Sequence, residues 1–82
     1  MKTIIKRPFL PAENYMDNLA VFNEFNNILQ KADQIRKLEN IKIVLKGTRY
    51  DFFQFRFGKR SIKIDQLMKG GKGVLVAVIK FS

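Results

Sequence analysis

A chain with no His and no Cys has few ways to do chemistry. It lacks an imidazole to move protons near neutral pH, a thiolate nucleophile, a disulfide, and the usual ligands of zinc or haem. What remains is Lys, Arg, Tyr, carboxylates and backbone. The densest run of such groups is Lys46, Arg49, Phe52, Gln54, Arg56, Lys59, Arg60 and Lys63, with Asp51 as the one acid inside it. Arginine grips phosphate through a planar fork, lysine adds a point charge, and an exposed ring stacks on a base for about 1–3 kcal/mol. Those eight residues are therefore the candidate nucleic-acid-binding set. No residue pattern identifies a catalytic group, and neither a cofactor nor a metal ion is expected.

Two further features invite chemistry and offer less. Gly70-Gly71, flanked by Lys69 and Lys72, has the composition of a phosphate loop. It lacks the Gly-x-x-x-x-Gly-Lys-Ser/Thr pattern and no helix follows it, so a hairpin turn is the expectation. Asp51 and Asp65 have no second carboxylate at a spacing that suggests acid-base work. Neutralisation by Arg49 or Arg60 is their expected role.

Charge supports the same grouping. The chain has 16 Lys and Arg against 7 Asp and Glu, for a net charge of +9. Residues 1–39 hold six basic and five acidic side chains, whereas residues 40–82 hold ten basic and two acidic. A one-sided cationic field attracts a polyanion: nucleic acid, the ribosome or an acidic protein. A membrane is not the expected partner, because the basic residues do not line an amphipathic helix. The longest apolar run, Val74 to Ile79, is also far short of the roughly 20 residues that span a bilayer. The reading is one soluble domain, residues 1–82, in a reducing cytoplasmic compartment that needs no disulfide.

Those side chains need elements to hold them. Thr3-Ile4-Ile5 predicts a short first strand ending near Arg7, where Pro8 and Pro11 interrupt the chain. Asn14 or Asp17 can cap a helix whose apolar stripe is Leu19, Phe22, Phe25, Leu29, Ala32, Ile35 and Leu38. That helix either runs unbroken or divides near Lys31, with Asp33 capping a second helix from Gln34 to Glu39, and Asn40 ends it. Beyond Asn40 the period becomes 2. Ile41, Ile43 and Leu45 predict a strand, as do Phe53, Phe55 and Phe57, then Ile62 and Ile64, then Val74 to Phe81. The last is apolar on both faces and belongs in the middle of a sheet. The fold class is α+β: an N-terminal strand and one or two helices packed on a four-stranded antiparallel meander. The Phe53, Phe55, Phe57 ridge is expected to meet the helix, leaving Phe52, Gln54, Arg56 and Lys63 or Arg60 on the other face.

Leu45-Lys46-Gly47, the run from Tyr50 through Gly58-Lys59-Arg60 to Ile62, and Gly73 to Val78 together resemble the sheet half of the RelE/ParE toxin superfamily. The order is similar: a helical pair, a Leu-Lys-Gly turn, a strand alternating with Arg or Lys, Gly-x-Arg opening the next strand, and a valine-rich strand. The resemblance implies a metal-independent, ribosome-dependent endoribonuclease with an acidic antitoxin as partner. It implies phosphate contacts for Arg56 and Arg60. The chain departs from that pattern at Gln54, where the family has a second Lys, and at Ser82, where the toxins continue into an Arg and Tyr segment. A binder without cleavage fits as well as a nuclease.

Three functions thus share this surface. One is a protein that binds RNA or the ribosome, with mRNA cleavage as its sharpest form. Another is a phage- or mobile-element-encoded inhibitor that docks on a host nucleic-acid-handling enzyme. The third is a single-strand DNA binder.

Overall fold

Leu38 to Lys46 satisfies two periods at once. Ile41, Ile43 and Leu45 alternate as in a strand, while Leu38, Ile41 and Leu45 recur at the spacing of a helical face. In the computed structural model, which describes residues 1–9 and 15–82, the segment is a helix. Six elements follow in order: β1 (Lys2–Lys6), α1 (Tyr15–Gln34), α2 (Leu38–Lys46), β2 (Phe53–Phe57), β3 (Ser61–Leu67) and β4 (Gly73–Phe81). The strand predicted over Ile41 to Lys46 is therefore corrected to α2, which buries Ile41 and Leu45 and leaves Ile43 69% exposed. Asn40 lies inside α2 and ends nothing. The chain does divide into two helices, at Ile35 to Lys37, later than the predicted Lys31.

The α+β architecture holds, because β1 takes the place left by the misread strand. All four strands are antiparallel in one sheet ordered β1-β4-β3-β2. β4 is central, as its apolar pattern requires. One extra residue enters β4 where Ile64 pairs with Ala77 but Asp65 pairs with Leu75. This bulge leaves Val76 between the paired positions, and both Val76 and Ala77 are buried in the core. Simple alternation had put them on opposite faces, a difference that a β-bulge explains.

Both helices pack on the same face of the sheet. The core joins Val21, Phe25, Ile28, Leu29 and Ala32 of α1 and Ile41 and Leu45 of α2 to Phe53, Ile62, Ile64 and Ile79 of the sheet. Phe25 and Phe53 meet with ring centroids 5.4 Å apart. The helical stripe is turned relative to the predicted one: Leu19 and Phe22 are exposed at 44% and 52%, while Val21 and Ile28 are buried. The Asn14 cap and the Asp17 side chain lie outside the described residues.

Side chains close the helix ends. Lys2 on β1 donates from Nζ to the carbonyl oxygens of Ala32 and Ile35. Ala32 lies in the last turn of α1, whose final carbonyls have no partner within the helix, and Ile35 is the first residue beyond it. Thr48 donates from Oγ1 to Val44 O at 3.0 Å and finishes α2. Among the described residues no helix is long and apolar enough to cross a membrane.

Candidate nucleic-acid interface

Both helices lie on one side, and among the described residues no element covers the other face of the sheet. Strand register assigns its side chains, since paired residues point the same way and neighbours along a strand point opposite ways. One row crosses all four strands as Ile5, Val78, Lys63 and Arg56. Beside it lie Thr3, Lys80 and Ser61 on one side, and Leu75, Asp65 and Gln54 on the other. Val78 is buried at 6% exposure but stands apart from the core cluster, roofed by its neighbours on this face.

Arg56, Lys63 and Lys80 therefore occupy adjacent positions on one surface. Arg56 and Lys63 are direct cross-strand partners. Lys80 lies diagonal to Lys63, since Lys63 pairs with Val78. Diagonal neighbours are about 7–8 Å apart, within reach of long side chains. Like charges placed directly opposite disfavour the fold by themselves.

The acid on this face is Asp65, and it is engaged. Arg56 approaches it edge-on, with Nε 2.8 Å from Oδ2 and Nη2 donating to Oδ1 at 2.9 Å. Gln54 donates from Nε2 to Oδ2 at 3.3 Å. The Asp65 side chain is 6% exposed, whereas that of Arg56 is 55% exposed. A buried carboxylate needs such partners, because desolvation without them is costly. Gly73 makes the space: a Cβ there would come within 2.6 Å of Gln54 Nε2 and 3.2 Å of the Asp65 Cβ. Asp65 is thus neutralised by Arg56, and by neither Arg49 nor Arg60 as expected. Of the two arginines expected to neutralise these acids, Arg49 pairs with Asp51, Nε to Oδ1 at 3.7 Å, between two exposed side chains.

The eight candidate residues do not form one surface. Gln54, Arg56 and Lys63 lie together on the open face. Lys59 and Arg60 are the tip of the β2-β3 hairpin, closed by the Gly58 N–H donating to Ser61 O at 2.8 Å. Lys46 is on α2, across the sheet, with its ammonium 5.0 Å from the centroid of the Phe57 ring. Arg49 is in the connection between α2 and β2. Phe52 is half-buried and packs against the core cluster, so its ring does not stand free on the face as expected.

Sequence reasoning left out Lys80, Asp65 and Gly73. Lys80 was within reach, since it shares the parity of Val78 in β4. Asp65 and Gly73 were not, because the Arg56–Asp65 contact is diagonal across the β2-β3 ladder and the place of Gly73 beside it depends on the β3-β4 register, which the bulge shifts. Compared with known proteins, the chain matches no family model, no curated protein and no solved structure.

Proposed function

We propose that this protein binds the phosphate backbone of RNA through the open face of its sheet, with folded or double-helical RNA, such as that of the ribosome, as the preferred form. One observation carries the reading: Arg56, Lys63 and Lys80 share a face that no described element covers and whose acid, Asp65, is already paired. No aromatic side chain of the four strands shares that face, since Phe53, Phe55, Phe57 and Phe81 all have the parity of the helix-covered side. Single-strand binders hold successive bases on rings, whereas double-helical RNA is held by its shape, phosphates and 2′-hydroxyls. That contrast favours a duplex over single-stranded DNA. The sequence resemblance to the RelE/ParE toxins points to the same class of ligand, and a cytoplasmic setting goes with it. Binding rather than cleavage is the function proposed.

Titrating the protein against labelled RNA hairpin, single-stranded RNA and single-stranded DNA at about 50 mM salt, and again at higher salt, tests this. The hairpin is expected to bind most tightly, with affinity falling steeply as salt rises because each phosphate contact releases counterions. No binding to any of the three at the lower salt overturns the proposal. A stoichiometric complex with an acidic protein would then put the inhibitor reading in its place.

A further inference from the structure

Arg56 has five N–H donors, and the contact with Asp65 uses two of them, one on Nε and one on Nη2. Of the remaining three, one on Nη1 and the outer one on Nη2 form the end-on edge of the guanidinium. That edge is free to meet a second bidentate acceptor. Asp65 therefore fixes the plane of Arg56 without occupying its whole fork. The anchor is itself fixed, since Asp65 is buried, accepts a further hydrogen bond from Gln54, and sits where Gly73 leaves room for both. Lys63 stands directly opposite Arg56, so an anion between them would turn a repulsive pair into two attractive contacts.

We propose that Asp65 is a positioning residue, which holds Arg56 edge-on so that its outer fork and the Lys63 ammonium clamp one phosphate group. The inference rests on the RNA-binding reading and specifies how that face recognises its ligand. It departs from simple charge counting. If Asp65 merely neutralised the surface, its removal would raise the positive charge and tighten RNA binding. If Asp65 positions Arg56, its removal loosens the fork and weakens binding despite the added charge.

Asp65→Asn, Arg56→Lys and the double variant, measured by anisotropy with a labelled RNA hairpin at fixed salt, separate the two. Positioning predicts that Asp65→Asn and Arg56→Lys each weaken binding by about tenfold, as expected for loss of one bidentate charge-assisted contact. In the Asp65→Asn background Arg56→Lys should add little further loss, because the two changes remove one interaction. Equal or tighter binding by Asp65→Asn, with melting still cooperative, overturns the positioning role while leaving RNA binding intact. No binding by the wild-type protein overturns both. Should Asp65→Asn fail to fold, NMR of the Arg56 Nε proton in the wild-type protein decides instead. A proton that stays bonded to Asp65 when the hairpin is added supports positioning, and one released by the hairpin shows that carboxylate and phosphate compete for the same edge.

Discussion

The Glu24 carboxylate on α1 accepts the backbone N–H of Phe52 at 3.0 Å, and the N–H of Asp51 lies 3.4 Å from its other oxygen. One helix side chain thereby fixes the approach to β2, and with it the phase in which Phe53 enters the core and Arg56 leaves it. A hydrogen bond to a charged acceptor is worth about 1.5–3 kcal/mol. Glu24→Ala is expected to cost about that much in a urea titration, and Glu24→Gln about half. Unchanged stability in Glu24→Ala would mean that the loop holds itself.

Phe53 and Phe55 share a face but not a fate. Phe53 is 3% exposed and meets Phe25 and Phe9, whereas Phe55 is half-buried against Tyr50 and Phe57. Truncating a fully buried Phe costs about 3–5 kcal/mol, much of the stability of a small domain. Phe53→Ala should therefore abolish cooperative melting, and Phe55→Ala should lower the midpoint while leaving the protein folded. The reverse order would mean that α2, not α1, supplies the principal packing on β2.

Lys2 offers a third test, because its ammonium satisfies two carbonyl oxygens, one in the last turn of α1 and one just beyond it. Lys2→Met keeps the aliphatic stem and removes the donor, and is expected to cost about 1.5–3 kcal/mol, as for hydrogen bonds that involve a charged group. The loss should show as faster amide exchange in the last turn of α1 and in β1. Uniform change across the protein would argue against a local cap.

On the open face, Lys63→Ala and Lys80→Ala should each weaken binding to the RNA hairpin and lower the slope of log affinity against log salt by about one. Arg36→Ala and Lys37→Ala, at the break between the helices, remove the same charge from the other side of the molecule and should leave the slope nearly unchanged. Four equal effects would point to a diffuse field with no face.

Much of this architecture was legible in the sequence, and its errors have definite causes. The strands from Phe53 onward were readable because Phe53, Phe55 and Phe57, and Ile62 and Ile64, alternate without ambiguity. α2 was not, since Ile41, Ile43 and Leu45 alternate as in a strand while Leu38, Ile41 and Leu45 fit a helix, and only burial shows that Ile43 faces out. In α1, Phe25, Leu29 and Ala32 belong to both the predicted and the observed stripe, so a rotation that trades Phe22 for Val21 leaves the pattern looking intact. At the candidate site, Arg56 and Lys63 could be placed by parity. The Arg56–Asp65 contact runs diagonally, because the direct partner of Asp65 is Gln54. Pairing by proximity in sequence could not find it.

The strand order also dictates an order of assembly. β2 and β3 are joined by the two-residue tip Lys59-Arg60, and β3 and β4 by a turn in which Gly70 and Gly71 adopt positive φ. Those pairings are local and close quickly. β1 is different, for its partner is β4, with Lys6 opposite Ala77 and Lys2 opposite Phe81. That ladder closes a loop of about 70 residues, so its entropic cost must be met before any of its contacts form. The three-stranded meander and the helices should therefore assemble first and β1 add last, by zipping onto an existing edge. On unfolding the sequence reverses, and β1 becomes the weakest seam of the sheet. Its amides should exchange with solvent ahead of those of β3, through openings that leave the Arg56, Lys63 and Asp65 cluster standing.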